Sequence, residues 1–258
     1  MSHPNLKLER HGSVSVLRIA DPATRNAMTP EMATALKLMV REEAKSARAI
    51  LLAGDDKAFC SGANLTGGMP ENLADHDTGR ALEDDYNPLM LTLRDLPIPI
   101  VTAVRGAAAG VGASLAVAGD IIVAGRSAYF LEAFARIGLV PDGGATWLLT
   151  RAVGRVRAME MMLLAEKIPA EQAHQWGLVT RLVEDEQVEA TAMELAQRLA
   201  SGPSRALGLI RRAAWEAADS GFADTLRRER ELQRLAGQSP DFAEGVAAFR
   251  EKRPAKFA

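Results

Sequence analysis

The sequence predicts an α/β fold, and three observations carry that prediction. Ala49 to Ala53 (AILLA) is a short, wholly apolar run, as expected of a strand covered on both faces. Ahead of it, Thr29-Pro30-Glu31 opens a helix, with a hydroxyl at the N-cap, proline at the first helical position and an acid in the first turn. After it, the order strand, glycine turn, helix recurs: Ile100 to Val104 delivers the chain into Gly106-Ala107-Ala108-Ala109-Gly110-Val111-Gly112, and a short buried helix runs on to Val117.

The other elements come in order. Leu6 to Glu9 and Ser13 to Ile19 read as a hairpin about His11-Gly12, the second strand carrying Val14, Val16, Leu17 and Ile19. Asp21 to Asn26 is a loop by composition. Met32, Leu36, Met39 and Val40 recur at helical spacing. Lys57 to Leu65 reads as a glycine loop, Thr66 to Thr78 as a mobile surface loop, and about Gly79 to Asp95 as a helix stopped before Pro97. Beyond Asp142 the chain is mostly helical: Ala145 to Ala152, Arg155 to Leu164, Pro169 to Trp176, a strand at Val179 to Val183, then helices at Val188 to Leu199, Ser204 to Ala218, Ala223 to Ala236 and Asp241 to Arg250. Ser201-Gly202-Pro203 divides a core, 1–201, from a helical region, 202–258.

Whole-chain properties exclude several classes. The formal net charge is −2 with no basic block, so nucleic acid and anionic membrane are not expected as partners. No run approaches the ~20 apolar residues of a membrane helix, and MSHPNLKLERHG has no signal-peptide core. Without a secretory signal, Asn64-Leu65-Thr66 is not expected to carry a glycan. The single cysteine, Cys60, rules out an internal disulfide and suits a reducing cytoplasm; with no His near it in sequence, it is not expected to be a nucleophile. His3, His11, His76 and His174 show no ligand spacing, so no metal is expected.

The chemistry is concentrated between Gly106 and Asp142. Small side chains there let another molecule reach the backbone, and Gly110 to Gly112 would expose free amides at the start of a helix. Such donors suit an oxygen that gains charge during a reaction. At the other end, Gly138 to Gly144 sets Asp142 in a glycine-flanked turn. Asp142 has two readings, a catalytic carboxylate or a turn aspartate capping the helix at Ala145. Glu132, the other acid in reach, reads as a strand-end or surface residue. Gly110-x-Gly112 is not a dinucleotide fingerprint, because Leu115 stands in place of a third glycine.

KAFCSGANL, VRGAAAGVGASLAVAGDIIVAGRSAYF and IGLVPDGGATWLLTRAVGRVRAMEMMLLAEKIPAEQAHQWGLV together resemble the crotonase, or enoyl-CoA hydratase/isomerase, family. The resemblance runs through essentially the whole chain to FREKRPAKF. YNPL, GLVPDGG and QRLAGQSPDFAEGV point to the branch of phenylacetate-catabolism isomerases, which act on ring-epoxide acyl-CoA and shift enoyl-CoA double bonds. The resemblance implies a crotonase-like α/β spiral of ββα units with a helical C-terminal trimerisation part, assembled as a homotrimer or a dimer of trimers.

It also implies roles. The family's two oxyanion donors fall on the amides of Ala63 and Val111, the latter in place of a more usual glycine. The two glutamates of a hydratase fall on Ser114 and Phe134, which cannot exchange a proton as carboxylates do. Asp142 matches the catalytic aspartate of the phenylacetate isomerase and the nucleophile of chlorobenzoyl-CoA dehalogenase. Arg25, Asn26 and Ala27 match a loop beside the CoA. Phe59, Ser61, Gly62, Asn64 and Leu65 would line the CoA, with Gly110 and Phe134 beside the substrate. Phe249 and Lys252 match residues that reach a neighbouring subunit's CoA. The implied activity is an acyl-CoA isomerase working through a thioester enolate, with no cofactor beyond the CoA of its substrate. The rivals are a hydratase or hydrolase on the same scaffold, and a non-catalytic acyl-CoA-binding oligomer.

Overall fold

The computed structural model describes residues 3–65 and 77–257. β1 (Leu6–His11) and β2 (Val14–Ile19) form the antiparallel hairpin, Leu6 opposite Ile19. α1 (Pro30–Glu43) begins where expected, the Thr29 hydroxyl accepting from the Met32 N–H. β3 (Ala49–Ala53) is buried throughout. It is followed by β4 (Ala58–Cys60), a π-helical turn at Leu82–Tyr86 and α2 (Asn87–Asp95). Then come β5 (Ile100–Val104), β6 (Ala107–Ala109), α3 (Val111–Val117), β7 (Ile121–Gly125), β8 (Tyr129–Leu131) and a 3-10 turn at Ala133–Ile137. The rest is α4 (Ala145–Ala152), α5 (Arg155–Leu164), β9 (Ile168–Pro169), α6 (Ala170–Gln175), β10 (Arg181–Val183), α7 (Val188–Ala200), α8 (Ser204–Ala217), α9 (Phe222–Gly237) and α10 (Pro240–Glu251).

The strands fall into two sheets, ordered β1-β2-β3-β5-β7-β10 and β4-β6-β8-β9. Apart from β1, every strand of the six-stranded sheet is paired in parallel, and β4, β6 and β8 are parallel to one another. Each successive unit gives one strand to the large sheet and the next to the small one: β3 then β4, β5 then β6, β7 then β8. A helical turn comes after each pair, which is the ββα spiral. One face of the large sheet, with Val16, Leu51 and Val101, packs on Ala192 and Ala196 of α7; the other belongs to the core with α1, α2 and α3.

Two expectations need correction. The Lys57 to Leu65 loop contains β4, and the Gly106 run contains β6; three-residue strands are too short to show a period. Most of the small residues in that run are also small for internal reasons. A Cβ on Gly106 would lie 2.3 Å from the Lys57 carbonyl oxygen, and one on Gly112 would lie 2.3 Å from that of Cys60. Ala107, Ala108 and Ala109 are buried between β4 and β8. Past the buried alanines, the backbone of the run is partly exposed again at Gly110. Of the surface loop expected over Thr66 to Thr78, residues 66–76 lie outside the described residues, including Thr66 of the Asn64-Leu65-Thr66 triplet.

The helices after Gly202 are tied to the core by Arg211, which is 5% exposed. Its guanidinium donates to Asp120 and to the carbonyls of Leu93, Arg94 and Leu96. Among the described residues, no helix is long and apolar enough to cross a membrane.

Candidate active site

β4, β6 and β8 end side by side, and the segments that leave their carboxyl ends form the site: Ser61-Gly62-Ala63, Gly110-Val111 and Glu132-Ala133-Phe134. The carboxyl ends of parallel strands are where open α/β sheets take ligands. The register is tight. Ala109 pairs with Leu131, and the Gly110 N–H donates to the Leu131 carbonyl at 2.8 Å. Gly62 and Gly110 approach closely enough that a Cβ on Gly110 would sit 3.8 Å from Gly62 Cα and 3.4 Å from the Phe134 ring.

That approach brings together two amides that donate no hydrogen bond among the described residues. Met28 forms a parallel bridge with Ala63, its N–H donating to the Gly62 carbonyl at 2.7 Å and its carbonyl accepting from Asn64 N–H at 2.9 Å. The Ala63 N–H therefore points to the opposite side of the strand, and Ala63 is exposed. The Val111 N–H is the first of α3 and precedes every i→i−4 bond of that helix. Gly110 takes the positive φ, 52°, so valine at 111 carries no left-handed strain.

Asp142 arrives from the turn before α4. The Ser114 hydroxyl donates to the Asp142 backbone carbonyl at 2.9 Å, and Gly143, φ 59°, passes so close that a Cβ would lie 2.9 Å from Ser114 Cβ and 3.3 Å from Val111. The Asp142 backbone carbonyl also accepts from the Ala145 N–H at 3.0 Å, which closes the turn through the main chain rather than through a side-chain cap. The side chain is left with Oδ1 buried and without a partner among the described residues. Burial raises its pKa to about 6.

Glu132 corrects the surface reading. It is 1% exposed, and both of its oxygens are buried without a hydrogen bond among the described residues. Burial, and then the charge of Asp142, raises its pKa to about 8. Tyr86 of the YNPL motif closes the same region: its hydroxyl donates to the Met28 carbonyl at 2.8 Å, and burial, then the Asp142 charge, pushes its pKa upward. The sequence signal for Glu132 is an acid inside the apolar run YFLEAF, where a solvated charge has no exit. Cys60 is fully buried, which raises its thiol to about 11 and leaves it protonated.

The other expected site residues divide into two groups. Arg25, exposed at φ 56°, and Ala27 lie in a loop stapled to the Ser61 segment: Ser61 N–H donates to the Arg25 carbonyl at 3.1 Å, and its hydroxyl to that of Thr24 at 3.0 Å. Leu65 is 47% exposed. Asn26 and Phe59, by contrast, are 0% exposed. Asn26 donates to the Ala58 carbonyl at 2.7 Å and accepts from Asp21 N–H, so it braces the loop against β4 and presents nothing to a ligand. Phe59 belongs to the core. Phe249, 85% exposed, and Lys252, at the end of α10, belong to the helical region. A cavity of about 1210 Å³ lies between α2, α4, α8 and α9. It shares Gly143 and Gly144 with the Asp142 turn but is not lined by Ala63, Val111, Glu132 or Asp142.

Fold and site together define an α/β spiral enzyme scaffold that gathers two backbone donors and two carboxyls, unmet among the described residues, near the ends of β4, β6 and β8. The family description enoyl-CoA hydratase/isomerase matches residues 9–258, and the chain belongs to that family. It is 43% identical to the 1,2-epoxyphenylacetyl-CoA isomerase of Escherichia coli K12 over 95% of this chain and 94% of that one. It is 41% identical to a Rhodobacter capsulatus protein named probable enoyl-CoA hydratase, over 100% and 99%. The crystal structure of an enoyl-CoA hydratase from Polaromonas sp. JS666 superposes with a TM-score of 0.92 at 30% identity, covering 98% and 99% of the two chains.

Proposed function

We propose that this protein is an acyl-CoA isomerase acting through a thioester enolate, in which Asp142 takes the proton and the Ala63 and Val111 amides hold the thioester oxygen. The single observation that carries this reading is the Asp142 carboxyl: it is half-buried, with Oδ1 unpartnered among the described residues, on a turn whose backbone is held by Ser114. Ser114 and Phe134 occupy the positions of the hydratase glutamates. Ser114 is 1% exposed and committed to the Asp142 turn, which leaves no acid there to deliver water. Removing a proton beside a thioester builds charge on its oxygen, and loss of one preorganised donor typically costs ~10²–10³ in rate. The substrate is an enoyl-CoA or a ring-epoxide acyl-CoA, in keeping with the name of the E. coli relative.

The test compares double-bond shift in a 3-enoyl-CoA with water addition to a 2-enoyl-CoA. The isomerase reading requires the first to dominate; faster hydration overturns it, and neither activity would leave an idle acyl-CoA binder. The proposal includes a cytoplasmic setting and a division at residue 202, with 202–258 as the oligomerisation region of a trimer or a dimer of trimers. Phe249 and Lys252 then complete a neighbour's CoA site. Lys252→Ala should weaken CoA binding by at most roughly 1.5–3 kcal/mol, the range of a charge-assisted contact, without changing sedimentation.

A further inference from the structure

We infer that Glu132 is a second proton-transfer residue of this site, the acid that works opposite the Asp142 base. The inference rests on the isomerase reading and deepens it. Glu132 is the first residue beyond β8, directly after Leu131, whose carbonyl holds the Gly110 N–H; it therefore stands at the level of the amide pair. It is wholly buried, yet among the described residues neither oxygen has a partner and it takes part in no ion pair. An acid left in this state usually costs stability, so such unmet groups concentrate where a ligand completes them.

The groups around it leave little ambiguity about its charge. Asp142 is the charged group that acts on it. The hydroxyl of Tyr86 is committed to Met28, and the Cys60 thiol is buried and protonated. With Asp142 near 6 and Glu132 near 8, the pair at neutral pH holds one proton, on Glu132. The two carboxyls thus stand as base and acid together, the pattern by which environments separate two otherwise similar groups.

The Asp142 carboxylate removes a proton from C2 of a 3-enoyl-CoA: that C–H bond breaks, an O–H bond forms on Asp142, and the electron pair moves to the thioester oxygen held by the Ala63 and Val111 amides. The dienolate then collapses, the thioester carbonyl re-forms, and a C–H bond forms at C4 with the proton of Glu132. Glu132 is left as a carboxylate and Asp142 as an acid. Transfer of one proton from Asp142 to Glu132 restores both, and the reaction is a net isomerisation.

A single turnover of the wild-type enzyme on 3-enoyl-CoA carrying deuterium at C2, with enzyme in excess in ordinary water, tests this without any variant. A relay through Glu132 places protium at C4; deuterium at C4 shows that Asp142 alone shuttles the proton, and overturns the inference. Glu132→Gln should lower kcat by about 10-fold or more, with less change in KM, and the turnover that remains should carry the label to C4. The same variant should lose the fall in kcat/KM above about pH 8 while keeping the rise through about pH 6. Unchanged kcat and an unchanged alkaline limb in the folded variant would contradict the assignment. If Asp142→Asn abolishes the shift while Glu132→Gln is fully active, the isomerase reading stands and only Glu132 falls. A wild type that does not shift the double bond ends both.

Discussion

The Asp120 site and the Glu132–Asp142 site treat their carboxyls in opposite ways. Asp120 is met by the Arg211 guanidinium at 2.7 and 2.9 Å and by the Ile100 N–H at 2.8 Å; the other Arg211 donors are used on three backbone carbonyls. Glu132 and Asp142 have no cation and keep three oxygens unmet among the described residues. Burial raises all three acids, but only Asp120 has a cation that opposes the shift. The contrast separates a brace from a reagent: an acid met by a buried guanidinium fixes the chain, and an unpartnered one is completed by what binds.

The comparison breaks most sharply at Arg211. Arg211→Ala should cost about 3–5 kcal/mol of stability, because it removes a buried guanidinium and takes its donors from Asp120 and from three backbone carbonyls at once. Denaturant unfolding measures this, and kcat per folded molecule should stay unchanged. A small loss of stability would mean that the Asp120 site is wet and that the brace is not one.

Glu132→Gln should have the opposite sign. The folded-state pKa of Glu132 is raised from 4.5 to about 8, so the native state holds a proton that the unfolded chain releases. Stability therefore falls as pH rises from about 4.5 to about 8, and the amide, which does not titrate, escapes that loss. The variant should gain roughly 4 kcal/mol relative to wild type between pH 4 and pH 8, read from unfolding curves at both values. A pH-independent difference would show that Glu132 titrates normally.

Asp142→Asn removes the base and keeps the size, so isomerisation should fall by ~10²-fold or more while the protein stays folded. For the wild type, kcat/KM should rise as pH passes about 6, where Asp142 loses its proton. Ser114→Ala has the smallest expected effect. It removes one hydrogen bond, worth about 1 kcal/mol, from the Asp142 backbone, and should lower kcat severalfold rather than abolish it. An effect on KM alone would mean that the turn holds substrate rather than base.

The large-sheet strands other than β7, α1 and the helices after Asp142 are legible in the sequence because each has a period, a cap or a breaker: AILLA, Thr29-Pro30, Ser201-Gly202-Pro203. β4 and β6 are not, since three residues show no period, and much of the smallness that suggests access for a ligand is packing at Gly106 and Gly112. Ala63, Val111 and Asp142 stand out through motif and resemblance, and the structure supplies the register that gathers the ends of β4, β6 and β8. Asn26 is legible as a loop residue but not as a brace, because its partners on β4 are 32 and 33 positions away. Glu132 carries a local signal, an acid inside YFLEAF, but its coupling to Asp142, ten positions on, is not local and comes from the fold.

The most direct test of the central claim follows a 3-enoyl-CoA in heavy-oxygen water by mass spectrometry, with wild type and Asp142→Asn side by side. The account predicts that wild type yields the 2-enoyl-CoA isomer with no gain of heavy oxygen, and that the variant yields almost none. Heavy oxygen entering a hydroxyacyl-CoA or a free acid as fast as the double bond shifts would contradict it, as would full turnover by the variant.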